Sequence, residues 1–317
     1  MNKLITIIVP LYKNEKHVST CVEALKNQID QNFDVVFVDD GSPDKTFENL
    51  KQCLETDIKF SYKIIRQKNE GVMRARKRGI ENTSSEFFMV YDCDDVISED
   101  YICEFYKTVK NNADVDIIIP NVKTQNERME FTDFKFYSND IFLSGKDCFL
   151  NSLNGWDIHT WYICKKDIFI KSNTDYESFN VGNMNYYNND EAIDRISFMN
   201  ANKIIRNNAI YYYCYNPNSA TKSVNSLKYL MIRNAFIIDE IFSNNLEVKL
   251  KVKSELVSTI LWIFVYMNRN RAYIKNLPEW KKEIRDSISN INYMKTIRFL
   301  KLKEKFKLTI LKLTPIL

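Results

Sequence analysis

Apolar and polar residues alternate in blocks over the first 120 positions, and the period changes from block to block. Leu4–Val9 is a continuous apolar, β-branched run, the pattern of a strand buried on both faces. Glu15–Gln28 places Val18, Val22 and Leu25 at helical spacing. Asp34–Asp39 then reads as a second strand. Pro43–Leu54 reads as a helix with Ser42 as its N-cap and Pro43 at its first position. A strand at Tyr62–Arg66, a basic helix at Glu70–Asn82, a strand at Phe87–Tyr91, a helix at Glu99–Lys110 and a strand at Asp116–Ile119 complete the series. Such alternation predicts an α/β fold, a mostly parallel sheet with helices on both faces.

Beyond residue 120 the rhythm weakens. Short strand-like pieces, Ile204–Ile205 and Ile210–Tyr215, sit among polar stretches rich in Asn and Tyr. From about 225 the chain is Gly-free and helical in pattern, at Leu227–Phe242, Val248–Met267 and Glu279–Ile291. A turn at Asn216-Pro217-Asn218-Ser219 marks a boundary near 220. The expected organisation is therefore an α/β domain over 1–220, with halves 1–120 and 121–220, and a helical region over 221–317.

Composition narrows the chemistry. The 45 basic and 41 acidic groups nearly cancel, which argues against a nucleic-acid binder. Only two histidines occur, His17 and His159, so a His-rich metal site is not expected. The six glycines include neither a G-x-x-x-x-G-K-[ST] loop nor a G-x-G-x-x-G after a strand, which disfavours P-loop enzymes and dinucleotide dehydrogenases. The seven scattered cysteines contain no C-x-x-C and fit reduced thiols in a cytoplasmic setting. Leu4–Val9 is too short for a signal peptide core, and no apolar run reaches the roughly 18 residues of a membrane span.

In an open parallel sheet, ligands bind beyond the carboxyl ends of the strands. Those ends here read Val9-Pro10-Leu11-Tyr12-Lys13-Asn14-Glu15, then Asp39-Asp40-Gly41-Ser42, then Asp92-Cys93-Asp94-Asp95. A single Asp after a strand is ordinarily a turn or cap residue. Three carboxylates in four residues repel one another unless a cation neutralises them. A hard divalent ion, completing its shell with substrate phosphates, is the natural partner; a solvated acidic turn is the plainer alternative.

The set VPLYKNE, VDDGSPDKT, NEGVMRARKRGI and VYDCDD, in this order over residues 4–101, resembles the family-2 glycosyltransferases of GT-A fold. The stretch Tyr187–Arg195 resembles that family's acceptor-side acidic motif. The resemblance implies an inverting, Mn²⁺- or Mg²⁺-dependent transfer of a hexosyl or N-acetylhexosaminyl group. The donor would be a nucleotide-diphosphate sugar, of UDP type, and the acceptor a hydroxyl of a saccharide or lipid-linked saccharide in cell-surface polysaccharide or glycolipid synthesis. Pro10 and Tyr12 match the loop that packs on the base, with Glu15 in the same loop. Asp40 matches the aspartate that bonds the uracil ring, and Arg76 a basic position near the nucleotide. Asp92 is expected near the ribose and Asp94 on the metal, with Asp95 able to share it. Register makes Glu191 the counterpart of the catalytic base and Asp190 the alternative, the residue types of the family's Glu-Asp pair being reversed. The family often has a His after the Tyr-rich strand, where residues 213–219 have none.

Two features stand beside this reading. Trp156, Asp157, His159 and Trp161 could form an acceptor platform or fill space between sheet and helices. Phe299, Leu302, Phe306, Ile310 and Leu313 recur at helical spacing beside Arg298, Lys301, Lys305 and Lys312. Residues 295–317 hold seven Lys or Arg and one Glu, a local +6 that leaves −2 for residues 1–294. Such a basic amphipathic tail is a candidate contact for an anionic membrane surface, and equally a helix packed on the domain. The expected location is cytoplasmic, peripheral on the inner face of the plasma membrane. A nucleotidyltransferase would show a basic, Gly-rich loop after strand one, where VPLYKNE stands. A catalytically inactive sugar-nucleotide-binding partner is the other alternative.

Overall fold

The computed structural model describes residues 3–55, 57–153, 155–156, 161–181, 187–217, 224–291, 296–297, 300 and 302–313. By internal contacts the chain forms two compact units. The first comprises residues 1–149, 156–172 and 197–216, and the second residues 150–155, 173–196 and 217–317.

The first unit is built on one sheet. Its strands are β1 Ile5–Leu11, β2 Asp34–Asp39, β3 Ser61–Arg66, β4 Phe87–Val90, β5 Val96–Ile97, β6 Ile117–Gln125, β7 Phe131–Asp133, β8 Phe142–Leu143, β9 Ile163–Lys165 and β10 Ile204–Tyr213. The spatial order is β3-β2-β1-β4-β9-β6-β10-β5, with β7 on β6 and β8 on β10. β1 pairs in parallel with β2 and β4, so the carboxyl ends of all three reach one edge. Every residue of β1 is buried, the one polar member, Thr6, donating its hydroxyl to Ser85 Oγ at 2.8 Å. The helices α1 Val18–Lys26, α2 Thr46–Leu54, α3 Val72–Glu81 and α4 Tyr101–Asn111 connect the first strands. Val18, Cys21, Val22 and Leu25 are the buried face of α1.

Several details depart from the sequence pattern. α2 begins at Thr46, and Lys45, not Ser42, is its N-cap residue. Ser42 Oγ instead accepts the Lys13 amide at 3.3 Å, while Asp44 Oδ1 takes the Thr46 amide and hydroxyl at 3.2 and 2.6 Å. The two strand-like pieces after 204 are one strand whose pairing to β6 shifts between Arg206 and Ile210. β9, too short to show a period, inserts antiparallel between β4 and β6.

α5 Gly145–Ser152, α6 Lys166–Phe179 and α7 Asn189–Asn200 follow within the less regular stretch. The second unit adds α8 Met231–Phe242, α9 Lys249–Arg269, α10 Leu277–Asn290 and α11 Leu302–Leu313. Its core gathers Leu256, Val257, Ile260 and Ile263 of α9 with Ile232 of α8, Trp280 and Ile284 of α10, and Leu308 and Leu311 of α11. Arg233 clasps both oxygens of Glu283 at 3.1 and 2.8 Å, and Lys253 those of Asp239 at 3.0 and 2.9 Å. No described helix is long and apolar enough to cross a membrane.

Candidate active site

The edge of the sheet at which β1, β2 and β4 end carries the polar groups. Pro10 lies buried in β1 opposite Val38, and the chain emerges at Tyr12, which is 42% exposed. Lys13 has φ +56°, which swings the loop back toward α2. There the Asn14 amide donates to Thr46 Oγ1 at 2.7 Å and the Lys45 amide to Glu15 Oε2 at 3.2 Å. Glu15 thus ties two loops together, and Tyr12 is held with its ring in solvent.

Asp40 is buried, and its carboxylate is filled by one loop. Gln67 Nε2 and the Glu70 amide donate to Oδ1 at 2.8 and 2.9 Å, and the Gly71 amide donates to Oδ2 at 2.8 Å. This approach needs Gly41. Its φ is +68°, and a Cβ there would stand 2.9 Å from the Asn69 nitrogen and 3.0 Å from the Gln67 oxygen. Asp40 therefore orders the loop that leads into α3.

α3 presents Arg76, itself buried, to the turn after β4. Its Nη2 lies 3.0 Å from both oxygens of Asp92. The pairing offsets one charge of the acidic turn. Asp95 is neutralised differently. It is 2% exposed, Tyr211 donates to its Oδ2 at 2.7 Å, and the Cys214 amide donates to its Oδ1 at 2.8 Å. Burial, reinforced by the Asp92 charge, raises its pKa well above the usual carboxylate range. Burial and the same Asp95 charge push the Cys214 thiol up to about 11. Asp94 meets the same returning segment, with Asn216 Nδ2 donating to its Oδ2 at 2.8 Å. Cys93 is buried with Cys21 in the core beneath.

The structure thus brings Arg76 to Asp92, and Asp94 and Asp95 to the end of β10. It also adds Tyr211, Cys214 and Asn216, which sequence reading overlooked. The signal was there: Cys214 to Asn216 are the first residues after a strand, the same rule that picked out the other three loops. Of the aromatic cluster, Trp161 is buried against Phe134, Tyr211 and Tyr213, and Trp156 against Tyr137 and Phe198. Both fill the core of the first unit; Asp157 and His159 lie outside the described residues.

The second acidic pair stands at the start of α7, in the second unit. Asn188 precedes the helix with φ +54°, a left-handed conformation that Asn tolerates better than most residues. Its side-chain amide donates to Glu191 Oε2, and Arg195, one turn on, donates to Glu191 Oε1. Acidic before basic at this spacing is the favourable order on a helix. Asp190 Oδ1 accepts the Glu191 amide at 3.0 Å. A small recess of about 40 Å³ opens here, lined by Asn188, Glu191, Arg195, Asn234, Glu255 and Thr259 among others. Burial raises the pKa of Glu255, with Arg195 opposing.

The fit of a divalent ion can be judged from these contacts. Among the described residues, no three Asp, Glu, His or Cys side chains converge on one point suited to a metal. Asp92 is engaged by Arg76, and both oxygens of Asp95 are taken. Asp94 Oδ1 has no partner among the described residues. The Asn216 amide oxygen is a second hard donor beside it, once its side chain turns over. One or two protein oxygens suit an ion that completes its shell with phosphates and water.

The model of the family Glycosyl transferase family 2 matches residues 6–172, more than half of the chain. The chain belongs to glycosyltransferase family 2. That membership sets the nucleotidyltransferase reading aside. The glycosyltransferase GlyG of Streptococcus pneumoniae is 30% identical to it over 148 residues, 46% of either chain. The chain spans less than half the length of the curated relatives it first matches. S. aureus TarS 1–349, solved in complex with UDP-GlcNAc, superposes with a TM-score of 0.73 at 18% identity, covering 98% of this chain and 88% of that one. The mannosyltransferase PcManGT of Pyrobaculum calidifontis, solved with GDP-Man and Mn²⁺, gives a TM-score of 0.51 at 12% identity, with 98% and 86% covered. The fold is GT-A followed by a helical region.

Proposed function

We propose that this family-2 enzyme transfers a hexosyl or N-acetylhexosaminyl group from a UDP-sugar to a hydroxyl of a saccharide or lipid-linked saccharide, with inversion at the anomeric carbon. The observation that carries the donor assignment is the convergence of Tyr12, Asp40, Arg76, Asp92 and Asp94 at one sheet edge that lacks any glycine phosphate loop. The UDP-GlcNAc complex of TarS, on the same fold, supports the choice of nucleotide. Tyr12 offers its ring to the base. Pro10 and Glu15 hold the loop that carries it, and Asp40 fixes the loop that closes the base site from the side of α3. Asp92, held by Arg76, faces the ribose.

Asp94, with Asn216 beside it, is the residue we assign to Mn²⁺ or Mg²⁺, and PcManGT's Mn²⁺ complex supports a divalent ion. Bound there, such an ion would neutralise charge on the leaving diphosphate. We give Asp95 a scaffolding role, since its oxygens are spent on Tyr211 and Cys214. Between the acidic residues of α7, we assign the base to Asp190, because Arg195 and Asn188 occupy both oxygens of Glu191. In the reaction the acceptor oxygen forms a bond to the anomeric carbon. The bond to the diphosphate breaks and its electron pair leaves with the diphosphate, while the hydroxyl proton passes to Asp190. A base so placed contributes typically ~10²–10⁴ in rate.

A thermal-shift series with UDP-, GDP- and dTDP-sugars, with and without Mn²⁺, tests the donor. A UDP-sugar with Mn²⁺ should raise the melting temperature most, because binding to the native state alone stabilises it. No shift with any sugar nucleotide would sink the proposal. Slow release of free sugar from the donor that binds would separate an active enzyme from an inactive binding partner.

A further inference from the structure

α11 is apolar on two opposite faces. At 100° per residue, Leu308 and Leu311 fall on one side, and they are 0% and 2% exposed in the core of the second unit. Leu302, Phe306, Ile310 and Leu313 fall within an arc of roughly 80° on the other side. Leu302, Phe306 and Leu313 are 85%, 67% and 77% exposed. The stripe read from the sequence is therefore the one that packing leaves in water, while leucines off that stripe make the contact with the domain. Domain packing uses one face of the helix and leaves the other, apolar face in solvent.

Lysines border the exposed arc. Lys305 and Lys312 lie along one side of it, and Lys307 along the other, with its Nζ 3.0 Å from Ser258 Oγ on α9. Trp262, one turn further along that face of α9, is half exposed, and Lys228 Nζ sits 5.5 Å from its ring centroid. Trp and Lys side chains with this mixed character settle at headgroup level.

We propose that α11 docks the protein on an anionic lipid surface, its exposed arc entering the acyl boundary and its lysines meeting the headgroups. A lipid surface is the occupant that meets both features at once. A second copy of the chain fits less well, because a two-fold contact sets the same lysines against themselves, and the segment 295–317 contains one Glu to offset seven cations. The inference does not depend on which sugar is transferred.

The full-length chain should co-sediment with vesicles of phosphatidylcholine mixed with phosphatidylglycerol at least about tenfold more than with phosphatidylcholine alone, and high salt should weaken binding. The variant Leu302→Glu/Phe306→Glu/Leu313→Glu should lose most of this binding while keeping the wild-type melting temperature and sugar-nucleotide response. If that variant fails to fold, Lys305→Gln/Lys312→Gln should still lower binding to the anionic vesicles several-fold. Wild-type protein that stays in the supernatant with both vesicles would overturn the proposal. So would variants that bind as wild type, or a dimer in light scattering that the triple variant splits.

Discussion

The two acidic clusters are built on opposite plans. At the sheet edge, the carboxylates are answered from three separate parts of the chain: Asp40 by the loop after β3, Asp92 by α3, Asp94 and Asp95 by the end of β10. At the start of α7, Glu191 is answered by its own neighbours, Asn188 and Arg195. The first plan fixes positions through the sheet and tolerates little change. The second needs one helical turn and is held by an ion pair and an amide. A sheet edge can therefore present several charges in fixed relation, while a helix start presents one or two whose geometry depends on local contacts.

The sharpest test is a pair of substitutions, one in each cluster. Asp94→Asn and Asp190→Asn should each lower turnover by about 10²–10⁴, measured as UDP release with a saturating acceptor. They should part in the binding assay. Asp94→Asn should lose the Mn²⁺-dependent thermal shift, and Asp190→Asn should keep it. If Asp190→Asn alone turned over normally, the assignment within α7 would be reversed.

Gly41→Ala probes the tolerance of the sheet edge. The added methyl meets the backbone of residues 67–69 at a left-handed φ, so urea unfolding should show a loss of about 1–3 kcal/mol and donor binding should weaken with it. A smaller effect is expected from Glu191→Gln, which keeps the size and most hydrogen-bonding capacity of the side chain. Its turnover should fall by less than about tenfold, and a fall as deep as that of Asp190→Asn would move the base to Glu191.

The smallest effect is on pH dependence. Asp95 titrates higher in the folded protein than in the unfolded chain, so folding takes up a proton. Its contribution to stability is present below the ordinary carboxylate pKa of about 4 and is lost as pH rises through the folded value. Asp95→Asn should therefore flatten the fall of melting temperature with rising pH above pH 4, and an unchanged slope would mean that Asp95 is not held protonated.

The sheet edge was legible because parallel topology brings strand ends together, so local motifs could be combined without knowing any contact. Tyr12, Asp40 and the Asp92–Asp95 turn were picked out this way, whereas Arg76, inside α3, came only from the family resemblance. What the sequence pattern hid was pairing. Nothing local announces that Asp95 is buried under Tyr211, nor that Gly41 presses on residue 69. β9 has three residues, fewer than a period-2 pattern needs to show itself. In α11 the periodicity left the facing open, since two apolar stripes on one helix give no sign of which one meets the core.

The partners of Asp94 and Asp95 lie 116 to 122 residues further along the chain. During synthesis the Asp92–Asp95 turn is made long before residues 211–216 exist, and no rearrangement of the earlier chain can supply them. Closing so long a loop costs entropy that only the final β10 pairings return. Until then Asp94 and Asp95 lack the partners that answer them, while Asp92 already has Arg76. The acidic turn at this sheet edge is thus among the last parts to become native, and a chain stalled on the ribosome before residue 211 emerges carries the whole motif without its fold.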